Sequence, residues 1–592
     1  MPFSSRIPPF LALMLVFVFP GTGWAGPPAT IDLAGDWRFR IDPGDNGVAE
    51  AWFNSELPGH IELPGSLQEQ GYGNDVTLNT AWTGDVKDPM WHEEARYAPY
   101  RQPGNTKVAF WLQPDKHYIG PAWYQRTVTI PRELAGKRFV LLLERCHWET
   151  RLWVDGEAAG KQNSLSVPHR YDLTGLLAPG THRLTLRVDN TVKINVGPNA
   201  HSVSDNTQTN WNGIIGEIAL RVTDPVWIDD VQVFPDVPDR RAKVRVVLCN
   251  SSGAPVEGAL VLSAACTNAD APPAPPGMTY RFRAEAEEEA VELDYPLGKD
   301  ALLWDEFSPN LYRLRVALAC DGIDFADSRA VMFGLRAFGA DGSQFTVNGR
   351  KTFLRGTLEC CIFPKTGYPP TDVDAWLRVL RMARAHGLNH LRFHSWCPPE
   401  AAFVAADRLG FIYQVECPAW AHIGAGEPID DFIYAEGDRI LRAYGNHPSF
   451  CMLAYGNEPG GRHRDAFLTE LVEYWREKDA RRLYTAASGW PMLDVNQYHV
   501  TPKPRVHAWG AGLQSRFNAE PLQTRTDYRD FVGRYAAPVV SHEIGQWCVF
   551  PNLRETEKYT GVLKARNFEI VRDFLVANHM LEQADDFLMA SG

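Results

Sequence analysis

The sequence predicts three folded units in series. They are a jelly-roll-like β-sandwich over residues 26–223, an immunoglobulin-like β-sandwich over 224–338, and a (β/α)8 TIM barrel over 339–592 whose eighth strand is missing. Three observations predict this. A chain of 592 residues is too long for one hydrophobic core, so about three domains are expected. Up to about residue 338 the pattern is short alternating strands separated by Gly, Pro, Asn and Asp turns. Beyond Gly342, strand-like and helix-like segments alternate with short connections, which is the texture of parallel βα units.

At the N-terminus, Arg6 precedes the apolar run "FLALMLVFVF", and Gly23 and Ala25 supply the small residues of a cleavage site. The run is too short to span a bilayer, so residues 1–25 read as a signal peptide and the mature protein is expected to be secreted or periplasmic. "GDWRFRID", "AWYQRTVTIP" and "HRLTLRVDN" are strands of the first sandwich, which runs from about Thr30 to Thr223. "KVRVVLCN", "GALVLSAAC" and "LYRLRVALAC" belong to the second, with the Pro/Ala loop "NADAPPAPPGM" between its strands. In the barrel, "TDVDAWLRVLRMARAHG" places Val373, Trp376, Leu377, Leu380 and Ala383 on one helical face, with Gly387 as the stop.

Composition narrows the partners. The net charge of −13 lacks the basic face that a nucleic acid or an anionic membrane would need. The 19 tryptophans suit stacking on sugar faces, so a carbohydrate substrate is favoured. No CxxC pair or Cys/His ladder is present, so neither a metal nor a cofactor is expected. Cys360, Cys361, Cys397, Cys417 and Cys451 read as small buried thiols, and Cys249, Cys266 and Cys320 leave room for one bridge. The oligomeric state is left open.

In a (β/α)8 barrel the active site lies at the C-terminal rim of the strands. The strand ends here read Glu359, His394, Glu416 and Glu458, with Arg392 two residues before His394; the later segment "APVVSHEIGQW" ends at Glu543. Trp396, Trp420, Trp490, Trp509 and Trp547 lie among them. Two carboxylates across a pocket are what glycosidic cleavage needs, one protonated for the leaving oxygen and one ionised at the anomeric centre. A metal-dependent hydrolase would need more ligands than His394 and His542 provide.

"GNHPSFCMLAYGNEP" resembles the acid/base segment of glycoside hydrolase family 2, and "LDVNQYH" and "PVVSHEIG" resemble its sixth- and seventh-strand segments. "LNHLRFHSW" and "YQVECPAW" are similar to its second and third strands. "LAGDWRFRID", "LPGSLQEQGYG", "PAWYQRTVTIP" and "LWVDGEAAG" resemble its sugar-binding sandwich, and "FGLRAF…FTVNGRKTFLRG" its junction into the barrel. The resemblance implies an exo-acting, retaining glycosidase releasing a terminal sugar, with Glu458 as acid/base and Glu543 as nucleophile. It also implies Asn457 on the sugar 2-hydroxyl, Tyr498 orienting the nucleophile, and Arg392 holding a neighbouring carboxylate ionised. His394, Glu416, Trp509 and Trp547 would line the substrate. The motif "RFHSWCPP", the strand end "GTLECC" and the absence of an "NxK" after the nucleophile depart from the best-known members. The missing "NxK" points away from uronic acids, the other departures indicate a rebuilt sugar pocket, and β-galactoside-like substrates are the first to test. The rival reading is a catalytically impaired carbohydrate-binding protein on the same scaffold, against which both glutamates speak.

Strands are expected near Thr352, Leu388, Phe411, Phe450, Tyr484, Leu493 and Pro538. Val562, Leu563, Phe568, Ile570, Val571, Phe574 and Leu575 read as helical, and nothing strand-like follows. An unclosed barrel leaves an unpaired edge, so the chain is expected to be the N-terminal part of a longer enzyme, poorly soluble or inactive at this length.

Overall fold

The computed structural model describes residues 29–591 apart from 85–90, 92, 110, 207–209, 270–274, 286, 504, 509–513, 515, 522–524 and 547–548. The signal segment, Trp509 and Trp547 therefore lie outside the described residues.

The first sandwich packs two antiparallel sheets. One is six-stranded, in the order Glu157–Gln162, Glu149–Val154, Gly180–Asp189, Pro121–Ile130, Gly35–Ile41 and Gly59–Leu63. The other carries Ala29–Asp32, Gly213–Thr223, Arg138–His147 and His169–Asp172, with Gly65–Ser66 on its flank. Alternate residues such as Trp37, Tyr124, Leu141, Leu143, Leu184 and Leu220 fill the space between them. The second sandwich has seven strands between Val226 and Phe333, in sheets of three and four. Cys249, Cys266 and Cys320 are free thiols there, so no bridge is formed among them.

A three-stranded meander, Phe338–Asp341, Gln344–Val347 and Arg350–Thr352, leads into the barrel. Its Phe338, Phe345 and Val347 pack against Ile412, Met452, Tyr498 and Val500. The parallel strands follow: β1 (Gly356–Glu359), β2 (His390–Phe393), β3 (Ile412–Glu416), β4 (Phe450–Ala454) and β5 (Leu483–Thr485) form one sheet in sequence order. Strands β6 (His499–Thr501) and β7 (Val539–Ser541) pair with each other. Ser488 bridges to both Asn457 and Val500 and so joins the two sheets. Helices α1 (Val373–Ala385), α2 (Glu400–Leu409), α3 (Pro428–Tyr444) and α4 (Arg464–Lys478) connect the first five strands. The Asp372 carboxylate caps α1 by accepting from Ala375 N–H at 2.7 Å.

Seven parallel strands form, and among the described residues none closes the sheet between β7 and β1. The (β/α)8 expectation is thus met only as an open seven-stranded barrel. The sixth strand is His499–Thr501, not a segment at Leu493, because Asn496 and Gln497 turn back to bind the backbone of Ala486 and Tyr484. The C-terminal segment also departs from expectation. Leu563–Lys564 is not helical: it forms a short antiparallel ladder with Gln113–Pro114 of the first sandwich. Helix α5 (Arg566–Ala577) then packs Ile570 and Phe574 against Trp91, Tyr97 and Tyr100. The Lys107 ammonium lies 2.9 Å from Glu569.

The first sandwich and the barrel share a core. Trp148, Leu165, Val167, Val196, Ala200 and Val203 belong to the same buried cluster as Trp396, Phe403 and Phe432. The buried Glu436 of α3 accepts from Ser164 Oγ at 2.8 Å and from Leu165 N–H at 2.9 Å. Gly197, at φ 92°, lies so close to the Trp420 carbonyl that a Cβ would sit 1.8 Å from its oxygen. This seam places a sandwich loop at the barrel rim.

Candidate active site

Strand β4 is wholly buried, and the chain leaves it through Gly456, whose φ of 155° brings its backbone against Ala419. The turn points two polar residues inward. Asn457 N–H donates to Ala419 O at 3.0 Å and Glu458 N–H to Ser488 O at 2.8 Å. Glu458 has φ 37°, a left-handed conformation costing a non-glycine residue about 1 kcal/mol.

Below this tip lies a buried ionic network. Arg392, on β2, donates through Nε to Glu416 Oε1 at 2.6 Å and through Nη2 to Asn457 Oδ1 at 2.7 Å. The fully buried Glu416 also accepts from Ser488 Oγ at 2.5 Å, Ser395 N–H at 2.6 Å and Gln414 Nε2 at 3.2 Å. Burial pushes its carboxyl up, but the guanidinium and these donors outweigh that and hold it below the usual range. Asn457 Oδ1 is doubly engaged, by Arg392 and by His542 Nε2 at 2.9 Å, which orients the amide. Its Nδ2 is buried with no hydrogen-bond partner among the described residues.

Two imidazoles surround Glu543. His394 Nε2 lies 3.6 Å from its Oε1 and His542 Nε2 lies 3.7 Å away; Arg505 Nη2 is 3.7 Å from Oε2, and Gln546 Nε2 donates to Oε2. Arg505 also donates to His542 Nδ1 at 3.4 Å, which leaves the proton of that neutral ring on Nε2, facing Asn457 and the carboxylates. Burial pushes His542 down to about 3 and lowers His394, so both rings act as neutral N–H donors. Desolvation raises Glu543, but His394, His542 and Arg392 bring it down to about 2.

Glu458 has the opposite environment. His542 Nε2 also lies 3.9 Å from Glu458 Oε1, so one nitrogen faces both carboxylates. Among the described residues no arginine or lysine is paired with Glu458. Desolvation and the neighbouring Glu543 charge raise it, against weaker lowering by Arg392 and Arg505. One carboxyl is thus held below the usual carboxylate range and the other raised above it, with one imidazole nitrogen facing both.

Comparison with known proteins matches residues 226–336 to the model of glycosyl hydrolases family 2. A beta-glucuronidase of Paenibacillus borealis is 22% identical, covering 94% of this chain and 90% of that protein. A beta-galactosidase of Enterobacter cloacae is 22% identical over 73% of this chain and 40% of its own length. The Bacteroides uniformis beta-glucuronidase structure superposes with TM-score 0.60 at 18% identity, covering 77% of this chain and 52% of that one. Together these matches support glycoside hydrolase family 2. The chain spans most of the Paenibacillus relative and about half of the Bacteroides structure.

The structure brings together Glu458, Glu543, Asn457, Arg392 and His394. Glu416, expected at the substrate, is fully buried as the counter-ion of Arg392. Tyr498 is likewise displaced from its expected place. Its ring packs 5.9 Å from Phe345 in the barrel interior and its buried hydroxyl has no partner, while His394, His542, Arg505 and Gln546 are the residues that reach Glu543.

The reading of the sequence missed His201. It comes from the first sandwich, and its ring stacks on His394 at 4.2 Å and 19°. Its N–H donates to Ser395 Oγ at 2.8 Å, and Trp420 brackets His394 from another side at 5.2 Å. Nothing local marks a histidine separated by nearly two hundred residues from its partner. His201→Ala is expected to lower kcat/KM on the order of 10²-fold by freeing the His394 ring, and His201→Phe, which keeps the stack, to recover most of it. Steady-state kinetics beside a melting curve check this; equal losses in the two variants count against the stacking role.

Proposed function

We propose that this chain is an exo-acting, retaining β-glycosidase, exported after signal-peptide removal, that releases a terminal sugar from a glycan. β-Galactoside-like substrates are the first to test. The observation that carries this reading is the pairing of a Glu543 held at about 2 with a Glu458 raised above the usual carboxylate range, both facing His542 Nε2, beside the Asn457 amide.

In this mechanism Glu543 attacks the anomeric carbon as Glu458 gives its proton to the departing glycosidic oxygen, leaving a covalent glycosyl–Glu543 ester. Glu458, now ionised, takes a proton from water. That oxygen attacks the anomeric carbon, breaks the ester and returns Glu543 as carboxylate. Asn457 Nδ2 supplies a hydrogen bond to the sugar 2-hydroxyl that strengthens in the transition state. Charge developing between the two glutamates is met by dipoles already fixed through Arg392.

A panel of aryl glycosides with different terminal sugars, followed by NMR of the first-formed product, tests this reading. Retained configuration supports it, an inverted product excludes it, and inactivity on every sugar favours a carbohydrate-binding role. The pH profile supplies a second test. Glu543 must be ionised, so the acid limb of kcat/KM is expected near pH 2. Glu458 must be protonated, so the alkaline limb follows its raised pKa. Glu458→Gln should remove the alkaline limb, and a limb that persists assigns it to another group.

A further inference from the structure

Past the end of β5, the bridges from Ser488 to Asn457 and Val500 carry residues 488–490 up between β4 and β6. Gly489, at φ 98°, lies directly against the acid/base side chain: a Cβ there would stand 2.8 Å from Glu458 Cγ and 3.5 Å from His542 Nε2. This close approach delivers the next residue, Trp490, to the Glu458 side of the cleft. Its indole N–H donates to the carbonyl of Pro459, the residue after Glu458, at 3.1 Å. Trp490 is 37% exposed, whereas Trp376 and Trp475 are fully buried.

These contacts limit what Trp490 can do. Its one polar atom is taken, so its open surface offers a ligand only an apolar π face. That face is tethered to the loop of the residue that would protonate the leaving oxygen. A general acid lies beside the leaving group, since the proton passes to the oxygen that departs with it.

We infer that Trp490 is the platform for the leaving group, selecting glycosides whose aglycone is itself a ring, either a second pyranose or an aryl group, over those with small leaving groups. The inference rests on the assignment of Glu458 as acid/base. The indole stacks on the ring, while the terminal sugar is held separately by Asn457 and the Arg392 network. Trp490 is therefore a determinant of aglycone choice and not of which terminal sugar is cleaved.

The test compares the full chain with Trp490→Ala, Trp490→Leu and Trp490→Phe on two substrates of one sugar: the 4-nitrophenyl glycoside, which has a ring aglycone, and the glycosyl fluoride, which has none. For Trp490→Ala, KM on the aryl glycoside is expected to rise about tenfold, with turnover of the fluoride unchanged. Trp490→Phe should recover most of the loss and Trp490→Leu little of it. Equal loss on both substrates, or no change on either, overturns the inference while leaving the glycosidase reading in place. If Trp490→Ala fails to fold and loses both activities, the same comparison in Trp490→Leu decides. Wild-type protein inactive on every glycoside overturns the catalytic reading itself, and this inference with it.

Discussion

Glu543→Ala is expected to lower kcat on the order of 10⁵-fold on every substrate, the largest loss of any single change in the site. Without the carboxylate no glycosyl ester forms, and the cationic centre loses its nearest anion. Truncation also leaves a space beside His394, His542 and Arg505, three nitrogen donors that suit a small anion. Added azide should occupy that space, restore part of the rate, and yield the glycosyl azide of inverted configuration. Glu458→Ala differs in a diagnostic way. The ester still forms with activated aryl leaving groups, which need no proton, so its formation is lost only with poor leaving groups, while its hydrolysis slows on every substrate because water has lost its base. Azide then attacks the ester and gives the retained azide. NMR of the two products distinguishes the roles, and the same configuration from both variants would refute the assignment of nucleophile and acid/base.

Arg392→Met should produce the largest combined loss of stability and activity. It leaves the fully buried Glu416 without its cation, and breaking one side of such a pair costs about 3–5 kcal/mol. It also removes one of the two donors that orient Asn457 and one of the groups that lower Glu543. A lowered melting temperature and at least 10³-fold lower kcat/KM are the expected results. Arg392→Met/Glu416→Leu separates the two effects. Removing the stranded carboxylate should restore most of the stability and little of the activity, because Asn457 and Glu543 still lack their partner. Recovery of both would show that Arg392 acts only as the counter-ion of Glu416.

What the sequence by itself determined was local in origin. Alternation with a period of two marked the sandwich strands, and a period near 3.6 marked α1, because burial of one face is decided residue by residue. Polar tips after apolar strands picked out Glu458 and Glu543, since a carboxylate at a buried strand end has to be solvated, paired or used in chemistry. Seven parallel strands were countable for the same reason. The sixth was misplaced by a few residues because the apolar run around Leu493 does not show that Asn496 and Gln497 bind back to β5.

Only the tertiary structure decided which distant groups meet. Leu563 has the composition of a helix residue, yet it pairs with Pro114 because that ladder partner becomes available only once the first sandwich has docked. Glu416 and Tyr498 occur in strands that end at the rim, but whether a side chain reaches the cavity or the interior depends on packing from the neighbouring strands. His201 becomes part of the site because Gly197 lets the sandwich backbone lie against Trp420. The protonation states of Glu458 and Glu543, on which the proposed chemistry depends, follow from the low dielectric and the fixed dipoles of an assembled cleft. Those fields act through space, and their sources are separated along the chain by up to about 150 residues, from Arg392 to Glu543.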